Sequence, residues 1–139
     1  MTTYNQQLMH NGARAVRRNA ISTLLKKVFG IERLRDGQRR VIDSVLDGND
    51  TLAIMPTGSG KSLCYQIPAR IFPGTTIVVS PLISLMKDQL EKLVELGVGA
   101  CQVNSSLSRE EENDAMEGIA SGACRIVFCT PERLAVPEF

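Results

Sequence analysis

Residues 82–96 read LISLMKDQLEKLVEL, and Leu82, Leu85, Met86, Leu93 and Leu96 recur at helical spacing as one apolar stripe. Pro81 suits the first turn and Gly97 a stop, so a helix is predicted between them. Around it lie four short apolar runs that predict strands: TLAIM at 51–55, TTIVV at 75–79, which is β-branched throughout, GACQV at 99–103 and RIVFC at 125–129. Helical segments separate them. Asp36 is placed to cap a helix over 38–46, and a second runs from about Lys61 to Arg70 before Pro73-Gly74. Ser108 and Glu111 form a capping box for a third helix reaching about Ala120, with acids at 110, 111, 112 and 114 at its positive end. The order β-α-β-α-β-α-β predicts an α/β fold: a parallel sheet with right-handed crossovers and helices on both faces. Before it, Val16, Ala20, Leu24 and Val28 recur four apart and predict an amphipathic N-terminal helix.

Composition places this pattern in a folded protein. With 139 residues, 43% hydrophobic and 22% charged, the chain is long enough for one domain with its own core. Its longest apolar runs are about five residues, against roughly 20 for a membrane span, and the start lacks a secretory pattern. A chain off the membrane and in the cytoplasm is expected. Cys64, Cys101, Cys124 and Cys129 are 37, 23 and 5 positions apart, which fits reduced, mostly buried side chains better than a metal site. His10 has no ligand-type neighbours and is expected on the solvated surface.

Charge is uneven along the chain. Residues 1–30 hold Arg14, Arg17, Arg18, Lys26 and Lys27 with no acid, leaving 11 basic against all 15 acidic groups in the remainder. Such an arm suits electrostatic contact with nucleic acid, but five charges in thirty residues also make an ordinary helix surface. The second reading is preferred.

The chemistry begins at AIMPTGSGKS, residues 53–62. A phosphate-holding loop follows G-x-x-x-x-G-K-[ST], and with Gly60, Lys61 and Ser62 fixed its first Gly falls at 55, where this chain has Met55. The chemistry requires a tight turn whose N–H groups point at phosphate oxygens and which opens into a helix. Thr57, Gly58, Ser59 and Gly60 can form that turn, Gly58 and Gly60 being free to adopt positive φ. Lys61, the candidate catalytic residue, then reaches the β- and γ-phosphates of ATP, and the Ser62 hydroxyl takes Mg²⁺.

PTGSGKS resembles the first ATPase motif of superfamily 2 helicases and translocases. MPTGSGKSLCYQIPA followed by IVVSPLISLMKDQ resembles the RecQ family of ATP-dependent DNA helicases, as do FGIERLRDGQ upstream and IVFCTPERL downstream. The match covers roughly residues 28–135. The resemblance implies a three-layer, RecA-like phosphate-loop fold, here incomplete, with residues 1–27 a basic helical extension and 28–139 part of the ATP-binding domain. It implies that Gln38 reads adenine, its amide offering a donor and an acceptor together, and that Arg35 lies against the base or ribose. Family members often carry an aromatic seven positions before that Gln and a Phe four before it; this chain has Ile31 and Leu34. Ser80 and Pro81, and likewise Thr130, Pro131 and Glu132, are implied to grip single-stranded DNA, with charge from Lys87 and Arg133 and weaker candidates at Asn104 and Ser105. The plainer alternative gives Ser80 and Thr130 capping duty and pairs Lys87 with Glu91.

The resemblance further implies 3′-to-5′ unwinding of duplex DNA in recombination and repair, with single-stranded and branched duplex DNA as partners. The family supplies an Asp-Glu pair to hold Mg²⁺, and this sequence contains no Asp-Glu dipeptide. The chain is therefore expected to stop inside the first motor domain, to bind nucleotide without unwinding, and to be monomeric if soluble; in a bacterium it is expected at the nucleoid. Two other readings compete: a non-catalytic nucleotide- or DNA-binding fragment, and a small phosphotransferase, which would need lid arginines where only Arg125 and Arg133 stand.

Overall fold

The computed structural model describes residues 2–136, with side chains of the first helix described from residue 15 on. The side chains of His10 and Arg14, and residues 137–139 of the expected ATP-binding domain, lie outside the described residues. The elements are α1 (Thr2–Lys27), α2 (Asp36–Leu46), α3 (Leu63–Ile71), β1 (Thr76–Val79), α4 (Ile83–Glu95), β2 (Ala100–Val103), α5 (Arg109–Ala120), β3 (Ile126–Cys129) and α6 (Pro131–Leu134). They divide into two compact units, Met1–Ile67 and Pro68–Phe139.

In the first unit the apolar faces of α1 and α2 are buried at Ile21 and Leu25, and at Ile42 and Leu46. The buried face of α1 is thus one residue round from the expected stripe: Val16 is 71% exposed, because the larger Ile21 and Leu25 side chains remove more apolar area from water than Ala20 and Val16. α2 begins at Asp36 itself, not after it, and Arg35 occupies the cap position. The helix starts there because the Gln38 side chain accepts from the Arg35 N–H at 2.9 Å, satisfying the entering backbone.

TLAIM forms no strand. Residues 51–56 have no regular secondary structure, with Leu52 91% and Ile54 92% exposed. Its β propensity is realised only against a neighbouring strand, and the described residues place none beside it. The expected four-stranded order is accordingly corrected to three strands.

In the second unit β3 is central, paired in parallel with β1 and β2 in the order β1-β3-β2. All four residues of β3 are buried, as a central parallel strand requires. β2 packs against α4 and α5, and Val103, Ala115, Cys124 and Val127 form a core with Cys101 and Ile119 against it. Ile77 and Val79 of β1 pair with Val127 and Cys129 and share their sheet face, yet are 52% and 47% exposed, so this face is open at its β1 end. The close approach of the chain at Gly99 excludes a side chain: a Cβ there would collide with the Ala123 carbonyl.

α4 also departs from expectation. It starts at Ile83, leaving Pro81 outside, and buries Met86 and Leu93, whereas Leu82, Leu85 and Leu96 remain exposed. α5 carries the predicted capping box: Ser108 Oγ accepts from the Glu111 N–H at 3.2 Å and Glu111 accepts from the Ser108 N–H at 2.8 Å.

Candidate nucleotide site and strand-end loops

The phosphate-type loop is a turn in front of α3. Ser59 N–H donates to Pro56 O at 3.3 Å, and Gly58 and Gly60 sit at φ +77° and +80°, a left-handed backbone that favours glycine. Leu63 N–H then donates to Gly60 O at 3.2 Å and Gln66 N–H to Ser62 O at 3.0 Å, which starts the helix. The N–H groups of Gly58, Gly60, Lys61 and Ser62 have no acceptor among the described residues, so they remain available at a helix N-terminus where anions are favoured. Ser59 Oγ is buried with no partner among them.

Gln38 ties this loop to α2. Although one face of a helix start is commonly exposed, Gln38 is 3% exposed. Its Nε2 donates to Ser59 O at 3.1 Å and to Gly60 O at 3.0 Å while its Oε1 accepts from Arg35. Both amide hydrogens are thereby engaged, and one Oε1 lone pair is left over. Arg35 Nη1 donates to Gly58 O at 3.1 Å, so two residues of one segment hold three consecutive loop carbonyls.

Lys61 is exposed and folds back: Nζ donates to Met55 O at 3.1 Å and to Pro56 O at 3.0 Å. These two carbonyls carry no sequence signature, because every residue offers one. Ser62 is half-buried and Thr57 exposed. Cys64 Sγ lies 3.8 Å from Met55 Sδ, which gives the non-glycine at 55 an apolar contact beneath the loop. Burial raises the Cys64, Cys101 and Cys129 thiols above their ordinary range and keeps them protonated, as suits packing more than ligation.

In the second unit, Ser80 and Thr130 follow the adjacent strands β1 and β3, and Ser80 N–H donates to Cys129 O at 3.0 Å. They are brought side by side at the C-terminal sheet edge, where ligand-contacting loops of parallel sheets lie. Ser80 Oγ accepts from Leu82 N–H at 3.2 Å, a local turn bond two residues on, and α4 starts after Leu82 with no side-chain cap, so the capping duty of the plainer alternative is not met. Thr130 is 7% exposed and gives α6 no side-chain cap. Pro131 and Glu132 are exposed at the start of α6. Lys87 is exposed on α4; no Lys87–Glu91 ion pair occurs among the described residues, and its charge acts instead on Glu111. Arg133 is held by Glu112. Asn104 is buried, its Oδ1 accepting from Ser106 N–H and Oγ, whereas Ser105 is exposed.

Residues 35–137 match the family model of the DEAD/DEAH box helicases. The chain is 50% identical over 118 residues to the ATP-dependent DNA helicase RecQ of Bacillus subtilis, covering 84% of this chain and 20% of that protein. It is 45% identical over 117 residues to the RecQ helicase of Haemophilus influenzae, covering 84% and 19%. Against the ATP-dependent DNA helicase Q-like 5 of Arabidopsis thaliana it is 45% identical over 119 residues, covering 86% and 13%. The chain thus spans about a fifth or less of the length of these relatives.

Proposed function

The chain belongs to the DEAD/DEAH box helicase family, and from that premise we propose that it is part of the ATP-binding motor domain of a RecQ-type, ATP-dependent DNA helicase. The observation that carries this reading is the loop at 57–62, whose unspent N–H groups and two positive-φ glycines are backed by Gln38 and Arg35. The residues fit a nucleoside triphosphate. Thr57, Gly58, Ser59, Gly60 and Lys61 cradle its phosphates, and Lys61 leaves the Met55 and Pro56 carbonyls to neutralise them. Ser62 offers its hydroxyl to Mg²⁺, which when bound offsets phosphate charge. Gln38 reads the adenine amine through its remaining lone pair, and Arg35 flanks the base.

Ser80, Pro81, Lys87, Thr130, Pro131 and Glu132 form the proposed single-strand contact, with residues 1–27 an extension and 28–139 part of the domain proper. In this reading the whole protein unwinds single-strand-bearing and branched duplex DNA 3′ to 5′ in recombination and repair, in the cytoplasm and as a monomer. No helix among the described residues is long and apolar enough to cross a membrane. A second reading for the isolated chain, nucleotide and DNA binding without turnover, is favoured by the lack of an Asp-Glu dipeptide to hold the metal.

The test is titration of Mg-ATP into wild type and Lys61→Ala. Weaker binding by the variant is expected, and equal affinity refutes the role given to Lys61.

A further inference from the structure

Arg17, Arg18, Arg39, Asp43 and Asp47 line a cavity of about 150 Å³ between α1 and α2. Arg17 pairs with Asp47, and Arg39 Nε donates to Asp43 Oδ2 at 2.8 Å. Arg18 has no partner among the described residues and is exposed. Among the described residues, three guanidinium groups against two carboxylates leave the cavity one positive charge in excess. A guanidinium presents five donors in a planar fork, so the two that are paired keep further N–H groups while the carboxylates fix their orientation. The excess charge, the unpaired Arg18 and the pre-oriented forks suit one tetrahedral oxyanion.

The surrounding charge favours a polyanion over a lone ion. Residues 1–30 hold five basic groups and no acid, with Lys26 and Lys27 exposed at the end of α1. We propose that this cavity docks one phosphate of a nucleic-acid backbone, gripped by Arg18 and flanked by Arg17 and Arg39. None of the residues placed against DNA above belongs to it. The choice of polyanion rests on the DNA-acting reading; the site itself rests on the clustered side chains.

The experiment is binding of a labelled oligothymidylate to the full chain across a salt series, for wild type, Arg18→Ala and Arg18→Lys. Arg18→Ala is expected to weaken binding several-fold at low salt and to flatten the slope of log affinity against log salt by about 0.7, the loss of one single-strand phosphate contact. Arg18→Lys is expected to restore most of that slope. Arg18 is exposed, so both variants should melt as wild type does. An Arg18→Ala slope and affinity equal to wild type overturns the proposal. Full displacement of the oligonucleotide by inorganic phosphate at matched ionic strength overturns it too, in favour of a lone-anion site. Nucleotide titration on the same proteins separates the two readings. A chain that binds nucleotide but no oligonucleotide sinks this proposal alone; one that binds oligonucleotide through Arg18 but no nucleotide sinks the nucleotide reading alone.

Discussion

The Gln38 side chain and the Gly60 backbone are interlocked: Nε2 donates to Gly60 O at 3.0 Å and occupies the space a Gly60 Cβ would need. Gly60 is therefore required twice, once by φ +80° and once by this contact. Gly60→Ala is expected to cost on the order of 1–3 kcal/mol from the backbone alone and to abolish measurable nucleotide binding. Gly58→Ala, at φ +77° with nothing within 4 Å, should show only the backbone cost. Thermal melting and nucleotide titration of both variants check the difference; equal losses would remove the case for the interlock.

Gln38→Ala leaves the Ser59 and Gly60 carbonyls without their donor and opens space under the loop. The expected destabilisation is about 1–3 kcal/mol, since Gln38 is buried and its partners are left unsatisfied. Combined with Gly60→Ala it should be less than additive, because removing the amide also removes the collision. A double-mutant cycle by chemical denaturation measures the coupling, and strict additivity would count against it.

How far these features could be read in the sequence follows from how local they are. The α5 capping box lies within four residues, and the structure reproduces it. The three paired strands were legible as short apolar runs between helices, TTIVV also by its β-branched content. TLAIM is also a short apolar run and forms no strand, because pairing belongs to the neighbour as much as to the run. The buried face of α1 was displaced by one residue, since a four-residue spacing fits Ile21 and Leu25 as well as Ala20 and Leu24. In the candidate site the glycines and Lys61 were legible as a motif. Gln38 stood out only through a family resemblance, and the carbonyls that hold Lys61 and Gln38 had no signal at all.

The Ser108–Glu111 box gives a pH prediction. Hydrogen bonds from the Ser108 backbone and side chain, then the Lys87 charge, hold the Glu111 carboxyl below its ordinary range. A depressed folded value means stabilisation that is present above the unfolded carboxylate range and lost as pH falls through the folded value. The melting-temperature gap between wild type and Glu111→Gln should thus shrink between about pH 7 and pH 3. Ser108→Ala should cost about 1 kcal/mol at neutral pH. A gap that widens on acidification would contradict the assignment.

Leu52 and Ile54 are exposed apolar side chains on a segment outside any sheet, an apolar patch open to association with another chain. Leu52→Ser with Ile54→Ser should reduce self-association in light scattering while moving the melting temperature by no more than a few degrees. A large fall in melting temperature would show that these side chains are buried in solution.

The Lys61 ammonium is lodged on Met55 O and Pro56 O. Those carbonyls act as an internal competitor, so an incoming anion must out-bid two neutral acceptors for the same cation. On the proposed reading a triphosphate, with several charged oxygens within reach of one ammonium, would compete for it better than sulfate. On that reading the loop would favour charge-dense ligands through the backbone of residues 55 and 56, which offer no side-chain donor.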